Sequence, residues 1–427
     1  MQRIRVPGGV LSTVQWREIA QLAAEYTPRT PLHLTTRQDL ELHDLTAEQI
    51  PLVQERLARV GLTTLGAGGD SVRNITVCPC AGVLSGTLDL TDLAEKIQNA
   101  LNHLPGIWDL PRKFKISLSA CEKACGQPWL NDLGLSARLQ NDNWGFQVVA
   151  GGSLGPRPLT AMRIFEWIPA TEVMPLTVAA AQLFMEHGDR QQRHKARLRH
   201  VRERWGDAEF AQRLLDQFAK VRQEQKWPPI ELKANQSSFA EKIALNFLNG
   251  DLSPAAAEAL AELAGRQDVR VKLGNQHQVL IFGKSKERLR ELLGTPAALR
   301  GAFRAQIGMV ACPGARWCKR ALTDTAALAR DLQAALQGRM LQENTICISG
   351  CPNNCAQSNV AEIGLVGGIT MKNGKKEEQY TLYQNGGQGR DPRLAEATAS
   401  NLDPKAVPET ILEILMSMKA ISTSCYP

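Results

Sequence analysis

Two short phrases in this 427-residue chain carry paired cysteines at the same spacing. ISGCPNNCAQSNVAEIGLVGG, at 348–368, places Cys351 and Cys355 four positions apart, and LSACEKACGQPWLNDLGLSA, from Leu118, places Cys121 and Cys125 likewise, 230 positions earlier. Each phrase follows a second cysteine element: RNITVCPCAG, with Cys78 and Cys80, and GMVACPGARWC, with Cys312 and Cys318. The later set reads C-x5-C … C-x3-C. Structural zinc sites favour tight C-x2–4-C knuckles, which the wide first pair fits poorly. Four thiolates on two loops suit a [4Fe–4S] cube, whose cysteine ligands come at varied spacings, often beside proline. Pro313 and Pro352 follow two of these cysteines, and Gly314, Gly350 and Asn353 keep the loops irregular, so that backbone N–H groups can point at sulfur. Four inert buried thiols are the competing account, and free buried cysteines rarely fall in paired loops.

The earlier set is incomplete. Six residues beyond Cys78 stands Leu84, where the later set has Cys318, and Cys80 aligns with Gly314. Cys78, Cys80, Cys121 and Cys125 still make four thiols, so a second metal site stays chemically open, although C-x-C is an awkward bite for a cube. The expectation is that the phrase was duplicated with the fold and that only the second copy binds metal.

The elements around the cysteines repeat in the same order, as expected of an internal duplication. LHLTTRQDLELHDL and VRVKLGNQHQVLIFG lie upstream in their halves, and GFQVVAGGSLG and YTLYQNGGQG lie downstream. Apolar spacing predicts helices over 14–26 and 46–59. Leu32, Leu34, Leu40 and Leu42 alternate with polar residues, which predicts a strand bent near its middle, with Arg37 sharing a polar face with His33, Asp39 and His43. Residues 175–226 read as a solvated, charged helical connector without a catalytic role, and KWPPIELK at 226–233 as the break before the second half.

On these cysteines and this duplication, the chain resembles the sirohaem-containing sulfite and nitrite reductases, over most of its length. The resemblance implies an α+β fold of two pseudo-symmetric halves, each with a ferredoxin-like half-domain and a sirohaem/Fe–S domain. The expected boundaries are 1–65, 66–235, 236–300 and 301–427. It implies one [4Fe–4S] cluster on Cys312, Cys318, Cys351 and Cys355, with Cys355 shared with the sirohaem iron, and a first half that supplies the substrate side. Matched residue by residue, TTRQ gives Arg37, VRN gives Arg73, and LPRKFK gives Lys113 and Lys115 as the cations that hold the anion. Asn275, Gln276, Gln127 and Arg316 stand at the family's sirohaem-binding positions. His277 departs from the asparagine usual in its place and is not assigned to metal.

Taken singly, each cation has an ordinary reading: Arg37 on an exposed strand, Arg73 paired with Asp70, RKFK as one solvated strand face. Alternation around Phe114 nonetheless puts both lysines on one side, as a two-pronged anion clamp requires. The family's nitrite reductases usually carry asparagine where Lys115 stands. A second lysine favours doubly charged sulfite over singly charged nitrite, so sulfite is the expected main substrate and nitrite a further one.

Composition sets the outer bounds. The chain is 43% apolar and 22% charged, with a formal charge of +7, which suits an anionic substrate, cofactor or partner. Aromatic residues make up 5% and no Lys/Arg run is interleaved with them, which argues against nucleic acid. No apolar run is long enough for a membrane span, and the first residues lack the apolar stretch of a signal peptide, so the cytoplasm is the expected location. Ten cysteines in such a chain point to metal ligation over a disulfide framework. No G-x-G-x-x-G stands in a dinucleotide-binding context, so electrons are expected from a separate ferredoxin or flavoprotein. Three alternatives remain: nitrite reduction as the main activity, a precorrin-3B synthase-like oxygenase, and a non-catalytic Fe–S electron carrier. Neither of the last two has an evident need for four cations together. Cys425 is expected to be a free tail thiol.

Overall fold

The computed structural model describes residues 1–232, 234–235, 239–304, 308–336 and 345–424. Cys425 lies outside the described residues. The chain opens with strand β1 (Gln2–Ile4) and a helix over Thr13–Tyr26. Ser12 starts that helix with a capping box: its hydroxyl accepts the Gln15 N–H at 3.2 Å, and Gln15 Oε1 accepts the Ser12 N–H at 2.9 Å. The alternating leucine stretch is two strands, β2 (Leu32–Leu34) and β3 (Leu40–Leu42), paired antiparallel with His33 opposite Glu41. The expected bend is thus a full reversal, with Gln38 left-handed at φ +60°. The expected polar face is also not solvated. His33, Asp39 and His43 are buried: His33 packs on His277, His43 stacks on Trp317, and Arg3, Arg37 and Arg5 surround Asp39. The second expected helix runs over Gln49–Arg59.

The first α+β unit is a sheet of β4 (Thr76–Val77), β5 (Ile116–Ser119), β6 (Leu133–Gln140), β7 (Asn143–Ala150) and β8 (Met162–Pro169), ordered as numbered. The first two pairings are parallel and the last two antiparallel. Helices follow over Val173–His187, Leu198–Trp205 and Asp207–Glu224. This connector is not the solvated run its charge pattern predicts. The first helix is buried along most of its length, and Arg199 and Arg202 are buried as well.

The second half repeats the plan. Strands β9 (Glu241–Asn246), β10 (Asp251–Leu252), β11 (Val269–Leu273) and β12 (Gln278–Gly283) surround a helix over Pro254–Ala264, capped by Ser253 as the first is by Ser12. β10 pairs with β2, and helix Pro254–Ala264 packs on helix Thr13–Tyr26. Ile4, Trp16 and Leu34 therefore share one core with Leu260, Val279 and Ile281. The last sheet, β13 (Gly308–Ala311), β14 (Thr345–Ser349), β15 (Ile363–Lys372), β16 (Lys375–Gln384) and β17 (Glu396–Leu402), has the same order and directions as β4–β8. Among the described residues no helix is long and apolar enough to cross a membrane.

Candidate active site

In both α+β sheets a cysteine follows the first strand, and a C-x3-C loop follows the second. The N–H of Cys312 bonds Ile348 O at 3.0 Å, and its sulfur accepts the Gly350 N–H at 3.2 Å. Ser349 Oγ braces the next turn by accepting the Ala356 N–H at 3.1 Å. Asn354 and Gln357 are left-handed, at φ +56° and +66°, which folds the loop back towards β15. A Cβ on Gly364 would collide with the carbonyl of Ser358, so only glycine lets that turn close on the strand. Cys318 ends a short helix over Gly314–Trp317.

Burial, and then the neighbouring Cys355, pushes the Cys312 thiol up to about 12; burial raises Cys351 as well. Cys312 and Cys351 are therefore hard to ionise unless a metal replaces their protons. Among the described residues no three His, Cys, Asp or Glu side chains converge on the point a single ion would occupy. A cube takes one thiolate at each iron corner, so a spread set of four fits it.

Cys355 and Asn354 form one wall of a cleft whose other residues come from both halves: Thr36, Arg37, Thr76, Lys115, Gln127, Leu130, Asn131, Leu154, Asn275 and Gln357. Arg37 reaches it from the β2–β3 turn. Its guanidinium donates to Asn131 Oδ1 at 2.8 Å, Asn74 O at 2.6 Å and Ile116 O at 3.1 Å. Asn74 returns a bond to the Arg37 carbonyl at 3.0 Å. Burial lowers Arg37 to about 10, Arg73 to about 9 and Lys113 to about 8, and takes Lys115 well below the ordinary lysine range. Like charges add to this: Arg3 and Arg37 act on Arg73, Arg197 on Lys113, and Lys113 on Lys115. Asp39, buried among Arg3, Arg37 and Arg5, still rises to about 6, because burial outweighs the three cations.

The side chains expected from sequence are not all placed alike. Arg37, Lys115, Gln127, Asn275 and Cys355 line the cleft. Lys113 and Arg73 stand behind them, within electrostatic reach of each other. Arg73 does not pair with Asp70; it donates to the carbonyls of Ala67 and Gly69, both at 2.7 Å, while Asp70 takes Arg112 at 2.7 Å and also Arg193. Phe114 is buried between two half-buried lysines, of which Lys115 lines the cleft and Lys113 does not. Gln276 is half-buried beside Asn275 and does not line the cleft. Arg316 is paired with Asp251 at 2.7 Å and lies over the Trp317 ring at 4.8 Å, away from the cleft wall.

Sequence reasoning missed one arrangement. Asp132, fully buried, accepts the backbone N–H of Lys115 at 2.8 Å and a two-point contact from Arg197, at 2.8 and 3.3 Å. Arg197 belongs to the connector that its charge pattern marked as solvated. The signal that could have found the pair is NDLG at 131–134, inside the first cysteine phrase.

Residues 68–221 and 304–422 match the family profile described as the nitrite and sulphite reductase 4Fe-4S domain, and residues 1–60 match the nitrite/sulfite reductase ferredoxin-like half domain. The chain belongs to the nitrite and sulfite reductase family. It is an oxidoreductase with the α+β, duplicated architecture of that family, whose profile over the cysteine domains is that of a 4Fe-4S protein. An assimilatory ferredoxin-dependent nitrite reductase of Haloferax mediterranei is 30% identical, over 99% of this chain and 80% of its own length. A sulfite reductase [ferredoxin] of Mycobacterium tuberculosis is 29% identical, over 92% of this chain and 74% of its own. The solved structure of the Mycobacterium tuberculosis NirA protein superposes with a TM-score of 0.82 at 26% identity, over 96% of this chain and 79% of the other. Relatives named for either substrate thus stand at about the same identity, 30% and 29%.

Proposed function

We propose that this reductase binds sirohaem and one [4Fe–4S] cluster at the cleft and reduces sulfite to sulfide by six electrons drawn from ferredoxin, with nitrite a poorer substrate. The observation that carries the reading is the cleft itself: cations of the first half face the cluster cysteine Cys355 of the second. Arg37 Nε, Asn275 Oδ1 and Asn354 Nδ2 are buried there without hydrogen-bond partners, and neither Lys113 nor Lys115 has an ammonium hydrogen bond or ion pair among the described residues. Buried polar groups left unpaired are costly, so this surface fits a ligand rich in carboxylates and a small anion. Asn275, Gln127 and Asn354 would hold the tetrapyrrole, and Cys312, Cys318, Cys351 and Cys355 the cluster. When bound, the two groups supply an iron site for the anion and one-electron reduction at it.

The chain's own residues do the rest. Arg37 is fixed by three hydrogen bonds, so its charge is aimed before substrate arrives and costs no reorganisation. Lys113 and Lys115 are poised to release protons at Nζ, since burial lowers both; an arriving anion pulls those protons back into place. Asp132 holds the Lys115 backbone, and with it the direction of that ammonium. Two lysines on one side favour the dianion over the monoanion. Relatives named ferredoxin-dependent support ferredoxin as donor.

The test is an optical spectrum of anaerobically purified protein with sulfite and nitrite turnover measured on the same sample with reduced ferredoxin. A chlorin-type red band with faster sulfite than nitrite turnover is expected. A band with nitrite strongly preferred would reverse the substrate assignment. Cluster iron without a chlorin band after sirohaem supplementation would remove the enzyme reading.

A further inference from the structure

The cysteine lobe of the first half matches the cluster lobe of the second atom for atom in its backbone bonding. Cys78 follows β4 as Cys312 follows β13; its N–H bonds Leu118 O at 2.9 Å, against 3.0 Å for Cys312 and Ile348 O. Its sulfur accepts the Ala120 N–H at 3.1 Å, as Cys312 accepts that of Gly350 at 3.2 Å. Ser119 Oγ takes the Gly126 N–H at 3.0 Å, as Ser349 Oγ takes that of Ala356 at 3.1 Å. Ala124 and Gln127 are left-handed at φ +53° and +59°, where Asn354 and Gln357 are. Alanine adopts that conformation at a cost, and the loop keeps it. Three of the four cluster positions are therefore preserved as geometry as well as by residue type.

We propose that the first half binds a second iron–sulfur cluster through Cys78, Cys121 and Cys125, with Cys80 as the fourth ligand in place of the missing counterpart of Cys318. The Cys125 side chain interacts with those of both Cys78 and Cys121, and Cys121 is within electrostatic reach of Cys78. Cys80 lies on the same loop and within electrostatic reach of Cys125; its sulfur is 3.8 Å from the Lys242 ammonium. Lys272, buried with its ammonium on Ala81 O at 2.8 Å, adds positive charge beside Cys78 and Cys80. Two lysines at one thiol set offset the negative charge of a thiolate-ligated cube, and charge near a cluster sets its potential. Cys125 is exposed and Cys80 and Cys121 are half-buried, so iron and sulfide can reach the loop.

This site adjoins the cleft. Thr76 and Gln127, each two residues from a ligand, line the cleft, and Gln127 Oε1 accepts Gln357 Nε2 at 2.7 Å across the two lobes. The first-half cluster would flank the cleft opposite the second-half one and hold a further electron for a multi-electron reduction. That role rests on the reductase reading above; the presence of the cluster does not.

Iron and acid-labile sulfide are counted on anaerobically purified full-length protein, with the optical spectrum and zinc content of the same sample. About nine irons and eight sulfides per chain are expected: two cubes and one haem. Cys125→Ser, and separately Cys80→Ser, should each lose about four irons while the chlorin band stays. About five irons in the wild type, unchanged in both variants and with the chlorin band present, would overturn the second cluster and leave the reductase reading intact. One zinc per chain, lost in Cys125→Ser, would also overturn it. About eight irons without a chlorin band would keep the second cluster and sink the reductase reading.

Discussion

The two α+β units share strand order, pairing directions and cysteine-loop hydrogen bonds, yet they meet the cleft with opposite chemistry. Where β5 starts, the first unit has Lys115; at the same register on β14 the second has Thr345, since Ile116 pairs with Leu133 as Ile346 pairs with Ile363. The first unit brings the cation Lys115 to the cleft, and the second brings Cys355. A duplicated scaffold can divide labour in this way because a sheet fixes where its loops start, while the loop residues remain free to change. A cleft between two copies then collects both kinds of side chain without either copy needing both.

The sharpest break in that division is at the equivalent cysteines Cys355 and Cys125. Cys355→Ser should abolish sulfite turnover, because the cysteine that lines the cleft is lost; full turnover would end its assignment as a cluster and haem ligand. Cys125→Ser should keep a measurable fraction of turnover, since Cys125 does not line the cleft. Equal loss in both variants would mean that the two loops are not specialised.

Next in size is Arg197→Ala. Asp132 is fully buried, and removing its partner leaves an unpaired carboxylate beside the Lys115 backbone. Breaking such a pair costs about 3–5 kcal/mol. A reacting group misplaced by an ångström can cost on the order of 100-fold in rate, so kcat/KM for sulfite should fall by about that factor. Arg197→Lys should restore part of kcat, whereas a purely structural role would restore stability and leave kcat low. An effect on melting temperature alone would remove the pair from the site.

Much of this was legible in the residues. The C-x5-C … C-x3-C set, the duplication and the alternation around Phe114 all report local constraints: loop chemistry, repeat order and a two-residue strand period. The misses were tertiary. His33, Asp39 and His43 alternate with leucines as a solvated face would, and residues distant in sequence cover them, His277 on His33 and Trp317 on His43 among them. Arg197 sits in a run of basic residues whose composition reads as surface, and what brings it inward is Asp132, 65 residues earlier. Arg316 stands next to the cluster loop in sequence, but Asp251 holds its guanidinium elsewhere.

Lys115→Asn tests whether charge in the first unit selects the anion. Removing one positive charge weakens attraction for a dianion about twice as much as for a monoanion at the same distance. Sulfite kcat/KM should fall by roughly tenfold, about 1.4 kcal/mol, and nitrite kcat/KM by less. Equal losses would assign Lys115 to proton supply alone and leave selectivity unexplained.

The smallest effect concerns Lys113 and pH. Burial first, and then Arg197, lower this ammonium to about 8, below the ordinary lysine range. It is charged at neutral pH and loses its proton as pH rises through about 8, so anion affinity should fall over that interval. The same shift makes the folded state bind fewer protons than the unfolded state between about 8 and the ordinary lysine range, so stability should rise with pH there. Sulfite changes its own protonation near neutrality and would blur the first effect; nitrite keeps one charge throughout. The measurement is therefore the KM for nitrite from neutral to mildly alkaline pH, in the wild type and in Lys113→Arg. Arginine stays charged, so its KM should remain flat where that of the wild type climbs. Parallel curves would move the titrating group to Lys115, which burial first, and then the neighbouring charge of Lys113, takes well below the ordinary lysine range.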